Sequence, residues 1–221
     1  KIKKKKSLFV DCGFNFGSYS IPIAASNKNC DVYSFDASRL IQKSFVNNLK
    51  LNKLNNIFYK NIAVGNSNKK IVFHEEVFNK NINPSGSGYV INKIKDKKLD
   101  YKINMVTLDN YFKKKKLNKY SIIIIKIDLE GNDIDAIYGS KNIIRKHKPI
   151  ILFEFSRMII NNKNYNFKDF NKFIIKNNLK LVDLNYNKIK LKDLHIKIDL
   201  LSKRYGTIGN FLLLDKSYKV S

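Results

Sequence analysis

Short apolar runs, each closed by an acid or a glycine turn and followed by residues on a helical period, set the pattern of this chain. Leu8, Phe9 and Val10 are continuous rather than alternating, which is how a parallel strand covered on both faces reads. Asp11 follows. Gly13 and Gly17 then mark a turn before a helix over Ser18–Ser26 that contains Pro22. The order repeats: a strand over Asp31–Phe35 ends on Asp36, and Leu40, Ile41, Phe45, Val46 and Leu49 share the buried side of a helix over Ser38–Lys50. Asn56–Lys60 is a third strand, with Asn61, Ile62 and Ala63 at its carboxyl end. Lys69–Phe73 and Lys102–Val106 read as strands around a glycine- and serine-rich loop, Pro84–Tyr89. Thr107 caps a helix that runs to Lys115 and buries Leu108, Tyr111 and Phe112.

The second strong signal is Ser121–Asp133, where Ile122, Ile123, Ile124 and Ile125 predict a central strand buried on both faces. Lys126 interrupts it. With period two, Lys126, Asp128 and, if the chain stays extended, Glu130 project to one side. Asn132 or Asp133 caps a helix that buries Ile134, Ile137 and Tyr138 and ends near Arg145–Lys148, before Pro149. Ile150–Phe155 is another buried strand carrying Glu154. A helix over Phe167–Asn177 and strands over Leu179–Leu184 and Thr207–Leu214 close the chain. Strands alternating with helices predict one α/β domain, the size expected of 221 residues.

Composition alters this picture little. The net charge of +25 comes from 43 Lys plus Arg against 18 Asp plus Glu, which invites a nucleic-acid or anionic-surface partner. The basic residues are spread along the whole chain, however, and arginine is found only at Arg39, Arg145, Arg157 and Arg204. Phosphate and base readers rely on arginine's planar fork, so the charge reads first as a solvated surface, with Lys3–Lys6 and Lys113–Lys116 left as docking points. Cys12 and Cys30 have no zinc or disulfide spacing and fit a reduced, cytoplasmic setting. His74, His147 and His195 read as isolated exposed histidines, so no metal is expected. No apolar run is long enough for a membrane span. The chain starts on Lys1, almost at its first strand, and a preceding segment is expected.

The candidate chemistry lies where strands end. Asp36 comes 19 residues after Gly17, close to the spacing at which a second Rossmann-type strand offers an acid to ribose hydroxyls; its alternative is a cap for the following helix. Lys126 beside Asp128 and Glu130 is either a buried ion pair or a set of groups that tunes a catalytic carboxylate. Glu154 is either a third acid at this rim or an internal partner for Lys126. Asn61 either meets an adenine edge or is an ordinary loop asparagine. Ser85, Gly86, Ser87 and Gly88 either approach substrate or form a surface turn. The glycine spacing departs from the G-x-G-x-x-G of nicotinamide enzymes.

These segments, FVDCGFNFGSYS, VYSFDAS, LKLN, VTLDNYF, IIKIDLEGND and KPIILFEF, resemble in order and spacing the FkbM-type S-adenosylmethionine-dependent methyltransferases across residues 8 to 155. Cys12, Phe14 and Asp36 depart from the family's more usual residues. The resemblance implies a Rossmann-like class I methyltransferase fold with S-adenosyl-L-methionine across the carboxyl ends of the first strands. Asp11, Gly13, Asn15 and Gly17 would surround its methionine portion, Asp36 with Ala37 would hold the ribose, and Asn61 and Ala63 would border the adenine. Asp128 would act as base or acceptor-orienting acid, Glu130 would assist, and Lys126 would set their ionisation, with Ser85, Ser87 and Glu154 toward the substrate. Relatives act on hydroxyls of sugars, polyketides and other secondary metabolites. An RNA methyltransferase and a non-catalytic module for nucleic acid or an anionic surface are the alternatives.

Overall fold

The computed structural model describes residues 6–78, 83–156, 167–190 and 208–219. Its centre is a seven-stranded sheet in the order β10-β11-β9-β8-β1-β2-β3. The strands are β1 (Lys6–Cys12), β2 (Cys30–Asp36), β3 (Ile57–Asn61), β8 (Tyr120–Ile127), β9 (Ile150–Ser156), β10 (Leu179–Asp183) and β11 (Ile208–Asp215). β1 pairs in parallel with both β2 and β8, β2 with β3, and β8 with β9; β11 runs antiparallel to β9 and β10. This is the expected Rossmann-like arrangement with an antiparallel strand near the C-terminus.

Both faces of β1 are buried, as its continuous apolar run requires. Leu8, Val10 and Cys12 join a core with residues of α3 (Leu108–Phe112), α4 (Asp133–Tyr138), α5 (Lys141–His147) and α6 (Phe167–Lys176), whereas Phe9 meets Ala24 of α1 (Ser20–Ser26) on the other side. Helix α2 (Arg39–Asn52) buries Ile41 and Phe45, and Phe45 stacks on Phe14 at 4.0 Å between centroids. Ser38 caps α2 by accepting from Ile41 N, and Thr107 caps α3 by accepting from Asn110 N.

Four expectations need correction. Ile122 is 49% exposed, because β9 begins pairing only at Ile124 and leaves the start of β8 without that neighbour. The single helix expected after Asp133 is two, α4 and α5, broken at Gly139 and Ser140. The loop Pro84–Tyr89 lies within a strand, β6 (Asn83–Ile91), of a second sheet in the order β4-β7-β5-β6, with β4 (Ala63–Val64), β5 (Lys69–Phe78) and β7 (Asp100–Val106). β6 is an edge strand, so Pro84 removes no ladder bond that a second neighbour would need. His74 is not isolated either: its Nδ1 lies 2.6 Å from Asp100 Oδ1. His195 lies outside the described residues. Among the described residues, no helix is long and apolar enough to cross a membrane, and no group of His, Cys, Asp and Glu is arranged to hold a metal.

Candidate cofactor and active site

β1 leads on one side to β2 and is flanked on the other by β8, so the sheet reverses direction of winding between β1 and β8. Ligands of open α/β sheets bind at the carboxyl ends of strands beside such a point. A cleft opens there. Gly13 and Asn15 follow β1, Asp36 ends β2 with Ala37 and Ser38 after it, and Asp128, Leu129 and Glu130 follow β8. Phe73 of β5 and Gly88 of β6 close it from the small sheet. A larger groove of about 610 Å³ lies between α3 and α5, but none of its lining residues comes from the ends of β1, β2 or β8.

Seven of the expected site residues therefore meet in one cleft: Gly13, Asn15, Asp36, Ala37, Gly88, Asp128 and Glu130. The Asp36 carboxylate spans the two loops, since Oδ2 accepts from Asn15 N at 3.0 Å and Oδ1 from Ser38 N at 2.9 Å. Enclosure by the protein pushes its pKa up to about 6, partly offset by those two bonds and reinforced by the charges of Asp11 and Glu75.

Asp11 lies beneath the cleft rather than in its wall. Its carboxylate is fully buried, accepts from Ser20 Oγ at 2.5 Å and sits 3.4 Å from Lys126 Nζ; Ser20 Oγ is also 2.7 Å from Ser34 Oγ. Burial raises the Asp11 pKa against the pull of Lys126. Lys126 Nζ also donates to Gly13 O at 2.9 Å and pairs with Asp128 Oδ2 at 3.1 Å. Burial opposes its charge, but Asp11 and Asp128 outweigh that and hold its pKa above the ordinary value. Lys126 thus links the ends of β1 and β8 and orients Asp128. Ser20→Ala strands part of this buried network and is expected to lower stability by about 1–3 kcal/mol, measured by denaturant unfolding.

Lys126 and Asp128 share a side as period two predicts, but Glu130 does not continue the row. Its φ of 48° turns the chain out of the strand into the cleft wall. Lys126 is paired with Asp11 and Asp128, which answers for its charge without Glu154. Glu154 is instead hydrogen-bonded to Asp128, and burial, that bond and the charge of Asp128 push its pKa up to about 9. Asp133, at the start of α4, accepts from Leu129 N and Glu154 N, both at 3.3 Å, and burial pushes it up to about 7.

Other expected residues lie elsewhere. Gly17 packs against Ile21 and Phe45. Asn61 Nδ2 donates to the carbonyls of Asp36, Ala37 and Ser38, so it braces the turn after β2 from behind. Ala63 is buried with Ala37, Ile71 and Met105 in the core of the small sheet. The backbone of Ser85 and Ser87 runs in β6, and their side chains lie outside the described residues. Ser38, Phe73, Leu129, Ser20, Glu75, Tyr101 and Asp133 were not expected at or beneath the cleft. Glu75 had a signal: with period two it falls on the face of Ile71 and Phe73, an acid in an apolar row.

A parallel sheet with its cleft at the β1/β8 reversal, a glycine turn after β1 and an acid after β2 defines a Rossmann-like nucleotide-type fold. The Methyltransferase FkbM domain matches residues 11–186, and the chain belongs to that methyltransferase family, whose cofactor is S-adenosylmethionine. Among solved structures, an FkbM methyltransferase from Methylobacillus flagellatus KT superposes with a TM-score of 0.54 at 14% identity; the match covers 95% of this chain and 44% of that one. An rRNA methylase from Streptococcus thermophilus matches at 0.48 and 12% identity over 96% of this chain and 88% of its own. A Streptococcus mutans protein solved in complex with SAH matches at 0.49 and 10% over 96% and 89%. No curated protein matches the chain in sequence.

The cleft suits this cofactor in its donor set. Gly13 lets the turn after β1 pass under Asp128, and Asp36 offers a carboxylate fixed by two backbone N–H groups. The space inside is about 80 Å³, below the roughly 300 Å³ or more of ordinary ligand pockets, because Phe73 and Gly88 close over it.

Proposed function

We propose that this chain is an O-methyltransferase acting on a hydroxyl of a sugar, glycan or secondary metabolite. What carries the reading is the meeting of the Gly13 turn, Asp36 and the Lys126–Asp128 pair in one cleft. S-adenosylmethionine, when bound, supplies an electrophilic methyl group. Asp36 would hold the ribose hydroxyls and Gly13 and Asn15 the methionine end. Seating a nucleoside requires the rim of Phe73 and Gly88 to give way. Asp128 would take the hydroxyl proton as the acceptor oxygen bonds to the methyl carbon and the carbon–sulfur bond breaks with its electron pair left on the sulfur, and Lys126 would keep the carboxylate oriented toward the acceptor. Glu130 binds the acceptor from the cleft wall, and Glu154 supports Asp128 from β9.

Among the described residues the cleft lining contains three acids, Asp36, Asp128 and Glu130, and no lysine or arginine, and the nearest cation, Lys126, is held behind the wall by Asp11 and Asp128. A phosphate-rich acceptor would meet repulsion at the reacting end, which favours a neutral hydroxyl compound over RNA. Calorimetry with S-adenosylmethionine tests the cofactor half of this reading. Wild type is expected to bind and Asp36→Ala to bind at least tenfold more weakly, the equivalent of about 1.4 kcal/mol. Absence of binding by the wild type sinks the proposal. Transfer of labelled methyl to RNA but not to any glycan or hydroxylated metabolite would overturn the acceptor half.

A further inference from the structure

We propose that Glu75 and Tyr101 are positioning residues of the cofactor site. From the small sheet they latch the Asp36–Ser38 turn and the first turn of α2, so β5 and β7 set the place of the ribose-holding carboxylate. The inference rests on the cofactor reading of the cleft given above.

Glu75 is 3% exposed on the inward face of β5, where a carboxylate is costly unless donors surround it. Four donors do. Oε2 accepts from Ser38 Oγ at 2.7 Å, and Oε1 accepts from Arg39 N at 2.7 Å, Leu40 N at 3.3 Å and Tyr101 Oη at 2.6 Å. Arg39 N and Leu40 N are among the N–H groups that a helix leaves without partners at its start, and an anion there also meets the positive end of the helix dipole. Tyr101 Oη lies 2.8 Å from Ala37 O and accepts from Arg39 N at 3.0 Å, while the Arg39 guanidinium packs 3.8 Å from the centre of its ring.

Helix capping alone does not account for this arrangement, because Ser38 already caps α2 in the ordinary way through Ile41 N. Part of what the latch holds borders the cleft. Ala37 and Ser38 line it, Ser38 N donates to the Asp36 carboxylate, and Phe73, two residues before Glu75 on the same strand face, forms its lid. Movement of the small sheet away from α2 would therefore shift Asp36 as well as open the rim.

The carboxylate matters chemically, because all four partners are donors. Glu75→Gln keeps the shape but turns an N–H₂ group toward at least one of them. The experiment is calorimetric titration of S-adenosylhomocysteine, a non-reacting probe, into wild type, Glu75→Gln, Tyr101→Phe and the double variant, between pH 5 and 8, with melting temperatures alongside. Glu75→Gln is expected to weaken binding about tenfold or more at pH 7.5, equivalent to about 1.4 kcal/mol. Tyr101→Phe should weaken it about threefold, about 0.7 kcal/mol, and the double variant should be little worse than Glu75→Gln, because the two act through one network.

Asp11 from β1 and Glu75 from β5 add to the effect of enclosure on the ionisation of Asp36, and Asp128 and Glu130 from the end of β8 line the same cleft. Removing the Glu75 charge should move the acid midpoint of binding below its wild-type position near pH 6, a change that a purely structural role would not produce. Affinities of both variants within twofold of wild type, with an unmoved midpoint, overturn the proposal even if the melting temperature falls. If Glu75→Gln does not fold, an unchanged affinity for Tyr101→Phe overturns it alone. Failure of the wild type to bind overturns the cofactor reading instead.

Discussion

Gly13→Ala is expected to abolish cofactor binding and to lower unfolding free energy by about 3 kcal/mol or more. Gly13 has φ of 85°, and a Cβ there would lie 1.9 Å from the backbone oxygen of Asp128. That oxygen has nowhere to go. Asp128 N is bonded to Cys12 O at 3.0 Å, β1 and β8 are paired along their last residues, and Gly13 O holds Lys126 Nζ. Relief would require the two central strands to part at their carboxyl ends, where the cleft is built. Gly17→Ala provides the contrast. Its φ of 95° imposes a backbone cost of about 1–2 kcal/mol, but its Cβ would meet only side-chain atoms, Ile21 at 2.6 Å and 2.9 Å and the Phe45 ring at 3.0 Å, rather than backbone. Thermal unfolding and S-adenosylhomocysteine calorimetry on both variants check the pair. Wild-type affinity in Gly13→Ala would show that the close crossing of β1 and β8 is not needed for the site.

The contrast between these glycines was not legible in the sequence, because both have the same look, a turn after an apolar run. What the sequence does show is each strand of the central sheet. Leu8 to Val10 are buried on both faces of a parallel strand, and Ile123, Ile125 and Ile127 are buried on its neighbour, which leaves a nearly continuous apolar run in each. The small sheet is different. β6 is held by its ladder to β5 and by packing of Gly88 against Phe73, so tertiary pairing overrides a composition that reads as loop. Asn61 shows a related limit: its position at the end of β3 was apparent, but the three carbonyls that claim its amide belong to a turn more than 20 residues earlier. The acids whose pKa values Asp128 raises come from β9 and the start of α4, and the register Ile127↔Phe153 brings Glu154 beside the end of β8.

That register leads to the other large expected effect: Asp128→Asn should cut turnover by about 10²–10⁴-fold, the usual contribution of a positioned base. Glu154 decides the pH range in which Asp128 can act. As a neutral acid it donates to Asp128, and its pKa of about 9 keeps that bond in place through neutral pH. Above pH 9 Glu154 loses its proton and the bond is lost with it. Glu154→Gln supplies an N–H donor at every pH, so its turnover should stay level from pH 8 to 10, where wild type declines. Stability gives an independent reading. A carboxyl whose folded pKa is raised from 4.5 to about 9 binds its proton more tightly when folded, so stability is greatest at low pH and falls as pH rises through that window. Asp133, raised from 3.8 to about 7, adds to the decline in its lower half. Glu154→Gln removes the larger part, so its melting temperature should match wild type near pH 4 and exceed it at pH 8 by on the order of 5 °C. If turnover and melting temperature follow the wild-type pH curves in Glu154→Gln, the Glu154 proton between β8 and β9 has no part in the chemistry.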